Sequence, residues 1–406
     1  MADFHQAGSV ATLHRLDPGN LHALEQEIEG YARRHPIALV LPCLFSEFSR
    51  PALRHIIEEL RHLRYIDTVV VSLGRTGPGD LAVARRAFAR LPQRVSFIWN
   101  DGPALQSLYA RLRDHGLPVD QDGKGRSCWI AYGYLLADGR CDVIASHDCD
   151  ITTYSRELVA RLCYPVVNPH LGFDFAKGYY ARVGQGLNGR VTRLFVTPLI
   201  RALQRVAGEV PFLTFLEGFR YVLSGEFAMR CDLARVNRLP STWGLEIGVL
   251  AEVFRSRGAR RVCQTELCAN YDHKHQSLSE DPETGLMRMC IDVAGSLLRA
   301  VAAEGVVMSE SLFRTLSLAY ARRAEDAVDC YQADAAINSL TFDRHAEEQM
   351  ASLFGRGLAV ACERHVADPM TAALIPSWDR VASAIPDFLD QLRDAVHGDS
   401  LAVAAA

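Results

Sequence analysis

The 406-residue sequence contains no run of about 18 uninterrupted apolar residues, so no helical membrane span is expected. It also lacks an excess of positive charge. Forty-four Lys and Arg face 48 Asp and Glu, a net charge of −4, which argues against a nucleic-acid binder held by phosphate contacts. The eleven cysteines form no Cys-x-x-Cys pair and are odd in number; several, such as Cys128, Cys141, Cys163 and Cys290, sit in apolar runs. That pattern disfavours a zinc or disulfide framework and reads as small buried thiols in a reducing compartment, hence a cytoplasmic protein. The N-terminus, MADFHQAGSVATLHRLD, has no basic segment followed by an apolar core, so no secretion signal is expected. There is no Gly-x-Gly-x-x-Gly after the first apolar run and no Gly-x-x-x-x-Gly-Lys-Ser/Thr, which disfavours dinucleotide and P-loop sites. Internal repeats and long low-complexity segments are absent as well.

What is present is the composition of an ordinary globular protein, 49% hydrophobic and 23% charged, long enough for two domains. Residues 1–34 read as a preamble ending in a helix, LHALEQEIEGYARR. Apolar strand candidates then alternate with helical periodicity: strands at Ile37–Leu41, Asp67–Ser72, Val95–Trp99 and Val143–Ala145, helices at Arg50–Arg64, Asp80–Leu91, Pro103–Arg113 and Ser127–Leu136. This alternation predicts an α/β fold with a mostly parallel sheet covered by helices on both faces. Residues 155–280 mix helices with strands such as Leu171–Ala176. From 286 onward the sequence is a series of amphipathic helices, suited to packing or subunit contact, ending in a frayed Ala402–Ala406. The expected division is 1–34, 35–285 and 286–406.

The chemistry concentrates around Cys141–Tyr154, CDVIASHDCDITTY. A short apolar strand ends in Asp148 and Asp150, spaced i, i+2, so an extended backbone sends both carboxylates to one side. Open α/β sheets bind ligands at the C-terminal edge of their strands, and two oxygen donors there suit a hard divalent cation. A plain pair of acidic loop residues is the bland alternative. Pro42-Cys43-Leu44-Phe45-Ser46-Glu47 follows the first strand and offers backbone groups to a nucleobase, as does Ser72 closing the second; both positions also suit simple turns. Gly123-Lys124-Gly125 places a positive charge at a helix start, fit for a diphosphate or merely a solvated turn. Asn188-Gly189-Arg190-Val191-Thr192 reads as an anion site or as an N-cap with a surface arginine. Ser224-Gly225-Glu226 and Trp243-Gly244-Leu245-Glu246 set carboxylates beside glycines, as sugar-hydroxyl recognition or structural pairing with arginine would. His273 and His275 are candidate metal ligands or exposed polar residues.

Taken in order, these segments resemble the glucosyl-3-phosphoglycerate synthases and, more distantly, the mannosylglycerate synthases, over about Ile37 to Leu278. The resemblance implies a GT-A glycosyltransferase with a C-terminal helical extension, and a metal-dependent, retaining transfer of glucose from UDP-glucose or GDP-glucose to 3-phosphoglycerate, giving a product of the compatible-solute kind. It implies Mg²⁺ or Mn²⁺ held by Asp150, His273 and Asp148. Donor contacts fall on Pro42, Leu44, Glu47, Ser72, Lys124 and Asp148, and acceptor contacts on Gly189, Arg190, Val191, Thr192 and His275. Arg190, Glu246 and Glu226 are the catalytic candidates. The sequence departs from the family's Pro-Ala-Leu-Asn-Glu-Glu loop at Phe45-Ser46, carries Trp243 where Tyr is usual, and has His275 in place of Asn. The helical tail suggests a homodimer. Rival readings are a transferase using GDP-mannose or plain glycerate, a nucleotidyltransferase (disfavoured by the missing glycine-rich loop), and a non-catalytic nucleotide-sugar sensor.

Overall fold

In the computed structural model of the chain, residues 8–119, 121–273, 281–370 and 374–404 are described. The chain opens with a short strand β1 (Ala11–Leu13) and helix α1 (Leu21–Ala32), then β2 (Ile37–Leu44), α2 (Pro51–Leu60), β3 (Ile66–Gly74), α3 (Pro78–Phe88) and β4 (Arg94–Trp99). Helices α4 (Pro103–Asp114) and α5 (Lys124–Asp138) lead into β5 (Val143–Ser146), α6 (Arg156–Val167) and β6 (Phe175–Tyr180). Next come α7 (Thr197–Ala207), α8 (Pro211–Glu217), β7 (Phe227–Arg230), α9 (Cys231–Val236), β8 (Leu239–Pro240), α10 (Leu245–Ser256) and β9 (Val262–Cys268). The C-terminal part runs α11 (Gly285–Ala303), α12 (Glu310–Ile337), α13 (Arg344–Ala367), β10 (Leu374–Ile375), α14 (Trp378–Ala384) and α15 (Phe388–Ala404).

Eight strands join in one sheet in the order β1-β9-β6-β7-β5-β2-β3-β4. All neighbours are parallel except at β7, which runs antiparallel to both β5 and β6. The chain is therefore α/β with a mostly parallel sheet flanked by helices. β2 explains its own central place: its apolar run has nothing to expose on either face, and a parallel strand covered on both sides is where such a run is stable. Side-chain alternation sorts the core into two layers. Ala38 and Val40 pack with α5, α10 and the C-terminal helices, whereas Ile37, Leu39 and Leu41 pack with α1, α2, α3 and α6.

Two expectations shift. The strand read at Leu171–Ala176 lies at Phe175–Tyr180, because the polar turn after α6 extends through Asp174, whose carbonyl accepts from Arg230 N–H. The preamble also contributes more than a helix, since β1 pairs with β9 at the sheet edge. The C-terminal helices form a layer of the main core rather than an annex to it. Trp378 of α14 stacks on Trp129 of α5 with ring centroids 4.0 Å apart, and each indole N–H donates to a backbone carbonyl, Trp378 to Trp129 and Trp129 to Pro376. Gly133 sits below this stack; a Cβ there would meet the Trp378 ring at 2.0 Å.

Trp378→Ala is therefore expected to cost about 3–5 kcal/mol, the range for deleting a buried aromatic, read as a fall in the urea midpoint. Gly133→Ala is expected to lower the same midpoint, because the added methyl has only the indole to displace.

Candidate functional site

The site gathers at the C-terminal ends of β2, β3 and β5. β5 stops at Ser146, and the chain leaves it through His147-Asp148-Cys149-Asp150. His147 is completely enclosed. Its Nε2 lies 2.9 Å from the Tyr154 hydroxyl and its Nδ1 3.0 Å from the Asp148 carbonyl, and burial lowers its pKa, so it stays neutral. Both ring nitrogens are thus used up in shaping the turn that presents the aspartates.

Asp148 meets Lys124, the first residue of α5, at 2.7 Å between Oδ1 and Nζ. The same ammonium reaches Glu246 Oε1 at 3.0 Å. Glu246 is 4% exposed and lies in the first turn of α10, where the helix dipole favours an anion. Burial works against the Lys124 charge, but the two carboxylates outweigh it and hold its pKa well above the usual value. Asp148 likewise pays for burial, yet Lys124 keeps its pKa low. Among the described residues, Asp150 has no such ion-pair partner. Burial first, then the Asp148 charge, push its pKa up to about 7.

The glycines flanking Lys124 owe their identity to backbone rather than to ligand. A Cβ on Gly125 would stand 1.8 Å from the Pro240 carbonyl oxygen, and one on Gly123 2.3 Å from that of Ser241. The Gly125 N–H donates to Ser241 O at 3.0 Å, which locks the start of α5 onto the chain after β8. Gly225 answers to the site itself, since a Cβ there would fall 2.7 Å from Asp148 Oδ2 and 2.9 Å from Lys124 Nζ.

His273 arrives by an isolated antiparallel bridge to Ile151, the residue after Asp150. Its charge acts on Asp148. Its ring stands edge-on to Tyr271, centroids 5.7 Å apart. Among the described residues, no three His, Cys, Asp or Glu side chains stand together as a closed chelate. The bridge sets His273 opposite the residue that follows Asp150, and Asp148 is turned to Lys124.

Glu226 is placed otherwise than an attacking or sugar-reading carboxylate requires. It has no exposed surface, and its oxygens accept from Tyr180 Oη (2.6 Å), Tyr271 Oη (2.7 Å) and Ser224 Oγ (3.0 Å). Ser72 is also sealed, its hydroxyl accepting from Asn100 Nδ2 at 2.9 Å. In the loop after β2, Pro42 is half-buried and Leu44 exposed, while Glu47 is buried with Oε2 3.3 Å from Arg50 Nε.

The Gly-Arg-Val-Thr segment begins a wide π-helical turn, Val191–Val196, that runs directly into α7. Pro198 supplies a reason: it cannot donate to the carbonyl of Leu194, and the Tyr320 hydroxyl of α12 takes that acceptor at 2.9 Å. Gly189 adopts φ +74°, a conformation that favours glycine. Val191 and Thr192 are buried, and Arg190 is half-buried with Nε donating to Glu347 Oε1 at 2.9 Å. His275 lies outside the described residues.

No protein-family profile matches the chain. Two relatives align along its whole length. A glucosyl-3-phosphoglycerate synthase of Persephonella marina is 45% identical over 400 residues, covering 98% of this chain and 99% of that protein. One of Methanococcoides burtonii is 37% identical over 402 residues, covering 98% of each. The chain belongs to the glucosyl-3-phosphoglycerate synthase family. A crystal structure of the Mycobacterium tuberculosis glucosyl-3-phosphoglycerate synthase with Mn²⁺, uridine-diphosphate-glucose and phosphoglyceric acid superposes with a TM-score of 0.54 at 24% identity, over 73% of this chain and 89% of that one. Another, with Mn²⁺, uridine diphosphate and glucosyl-3-phosphoglycerate, gives 0.53 at 23% identity over 72% and 88%. At such identities the likeness speaks to fold, and the sheet is the GT-A sheet of this synthase family.

Sequence reasoning missed several residues that shape this synthase-family site. His147 and Lys177 look like core residues from pattern alone, and Glu347 lies more than 150 positions from the arginine it holds. Lys177, on β6, is fully enclosed with Nζ donating to Ser224 O at 2.7 Å, anchoring the turn that carries Gly225. Burial lowers its pKa to about 8. A folded-state pKa below the unfolded one means the unfolded chain binds the extra proton between about pH 8 and 10.5, so this group's contribution to stability rises with pH across that window. Wild type minus Lys177→Met, compared by urea unfolding at pH 8 and pH 10, is expected to shift in favour of wild type by roughly 1–2 kcal/mol at the higher pH.

Proposed function

We propose that the protein transfers glucose from UDP-glucose or GDP-glucose to 3-phosphoglycerate with retention of anomeric configuration, giving glucosyl-3-phosphoglycerate. The observation that carries this reading is the meeting of Lys124, Asp148 and Glu246 at the strand ends of a chain alike from end to end to the synthase of Persephonella marina.

The donor set suits a divalent cation. Three carboxylates, Asp148, Asp150 and Glu246, are balanced by one ammonium, and an anionic diphosphate entering alone would be repelled. Asp150 and His273, with Asp148 directly or through water, would hold Mg²⁺ or Mn²⁺. When bound, the ion supplies Lewis-acid stabilisation of charge on the departing nucleoside diphosphate.

The protein's own groups do the rest. Lys124 lies against Asp148 and adds positive charge on the diphosphate side. Glu246, held by Lys124, takes the sugar hydroxyls and is the carboxylate best placed to touch the donor. Glu226 acts through others: its hydroxyl cage sets Tyr271, which flanks His273. Pro42, Leu44 and Glu47 bound the base pocket, with Ser72 supporting it from beneath. Gly189, Arg190, Val191, Thr192 and His275 receive the acceptor, orienting its hydroxyl for same-face attack, the proton passing to a phosphate oxygen of the leaving group. Residues 35–285 carry both binding sites, 1–34 brace the sheet edge, and 286–406 support the acceptor side through Glu347. The scattered free thiols suit a cytoplasmic enzyme. The exposed Leu318 and Ile337 of α12 suit a homodimer contact. The product fits a compatible-solute role.

A nucleoside-diphosphate release assay crossing UDP-glucose, GDP-glucose and GDP-mannose with 3-phosphoglycerate and glycerate, with and without Mg²⁺ or Mn²⁺, tests this. Release only with glucose donors, 3-phosphoglycerate and metal is expected; binding without turnover by any pair would make the protein a sensor. Asp150→Ala and His273→Ala are each expected to reduce metal-dependent kcat by at least about 100-fold, the scale of losing electrostatic stabilisation of the leaving group. Full activity of Asp150→Ala in excess chelator would remove the metal role. Arg190→Ala is expected mainly to raise the KM for 3-phosphoglycerate.

A further inference from the structure

Among the described residues, Arg182 is a guanidinium without a counterion, beside the proposed acceptor segment. It follows β6 by two residues, and a small hairpin folds it back: Val183 bridges Leu187, and the Asn188 N–H donates to Arg182 O at 2.9 Å. This sets Arg182 against Gly189. A Cβ on Gly189 would meet Tyr221 Oη at 3.3 Å and Arg182 Cδ at 3.8 Å. The Arg182 side chain donates from Nη1 to Tyr221 Oη at 3.2 Å, a neutral partner, and its Nε is shut from solvent with no partner among the described residues. No carboxylate lies within ion-pair distance of it among those residues, whereas Arg190 and Arg193 both reach Glu347, each at 2.9 Å. A half-buried guanidinium with spare donors is costly unless an anion completes it.

A row of rings leads from its partner toward the proposed metal ligand. Tyr221 packs on Tyr180 (5.1 Å), Tyr180 on Tyr271 (3.8 Å) and Tyr271 against His273 (5.7 Å), so Arg182 is linked through packed rings to His273. Arg190 is instead braced by Glu347 of α13. A phosphoglycerate acceptor has two anionic ends. Its carboxylate adjoins the carbon bearing the reacting hydroxyl, and its phosphate lies one carbon beyond. We propose that Arg182 binds the acceptor carboxylate, leaving the phosphate to the Arg190 segment. This assignment rests on the proposed glucosyl transfer and deepens it. Arg182 thereby makes the enzyme select a hydroxy acid over a plain phosphorylated alcohol.

The test is steady-state kinetics of the full-length protein with metal and, in separate series, UDP-glucose and GDP-glucose, using 3-phosphoglycerate and glycerol 3-phosphate, which keeps the phosphate and lacks the carboxylate. Where glycerol 3-phosphate is not glucosylated, its inhibition constant against 3-phosphoglycerate replaces its KM. Arg182→Gln is expected to raise the KM for 3-phosphoglycerate roughly 10- to 100-fold, the equivalent of one charge-assisted hydrogen-bonded contact. The KM for UDP-glucose and the constant for glycerol 3-phosphate are expected to stay within about twofold of wild type, by the same measure of one contact confined to the carboxylate. Arg182→Lys, which keeps the charge, is expected to recover part of the loss and serves if the Gln variant does not fold. An unchanged KM for 3-phosphoglycerate, or an equal loss with both acceptors, overturns the assignment. A wild-type protein that transfers glucose to neither acceptor overturns the functional reading and this assignment with it; an active enzyme indifferent to Arg182 overturns the assignment alone.

Discussion

The Lys124 ammonium, held between Asp148 and Glu246, is the contact on which the rest of the site depends. It ties together three elements that share no local sequence: the start of α5, the exit from β5 and the first turn of α10. Locally it is a poor choice, since a cation at a helix N-terminus opposes the helix dipole. The two carboxylates reverse that cost, and the conflict between local preference and global arrangement falls where function is expected to override propensity. Steric detail points the same way. Gly123 and Gly125 are set by the backbone of Pro240 and Ser241, which fixes where α5 begins, and Gly225 leaves room beside the ion pair. Replacing Lys124, Asp148 or Glu246 would leave a charge uncompensated in a region where burial makes charge placement expensive, with about 3–5 kcal/mol at stake when a buried pair loses one member.

The part of this arrangement legible in the sequence is the part written in short-range pattern. Apolar runs such as Ile37–Leu41, too hydrophobic for any exposed face, announced a parallel sheet, and the i, i+2 aspartates marked the end of β5. What stayed hidden depends on pairing at a distance. β7 reads like its neighbours, and nothing in Phe-Ala-Met-Arg states that it runs antiparallel. Glu226 beside a glycine has the look of a working carboxylate; only the folded chain brings the Tyr180 and Tyr271 hydroxyls onto it. Ser72 gave the same impression until Asn100 closed over it. The amphipathic C-terminal helices showed that they would pack, and the Trp129–Trp378 stack is what decides where.

The side proposed for the acceptor is built on the opposite electrostatic principle from the side proposed for the donor. Glu347 of α13 holds Arg190 and Arg193 together, and Tyr320 of α12 satisfies the carbonyl that Pro198 strands. Both supports come from the C-terminal helices, so the geometry of the Gly-Arg-Val-Thr turn is a tertiary property of the whole chain. A π-helical turn gains little from its own hydrogen bonds and persists where neighbours over-determine it.

The consequence concerns two substrates that repel each other. A nucleotide-sugar diphosphate and a phosphoglycerate both carry negative charge, and bringing them together in a half-buried cleft opposes itself unless each is neutralised separately. The carboxylate-rich side proposed for the donor, with Lys124 as its positive charge, would suit a diphosphate that arrives with a cation. The arginine-rich side proposed for the acceptor would need no metal, because guanidiniums are charged at every working pH. On the proposed assignment, two separate devices would keep the acceptor's anions from competing for the donor's cation. They would also keep the carboxylates proposed to hold the cation from discharging the arginines. Glu347 and Glu226 are each closed off by partners of their own, Arg190 and Arg193 for the one and the Tyr180 and Tyr271 hydroxyls for the other, and that closure would let opposite charges serve neighbouring ligands without cancelling.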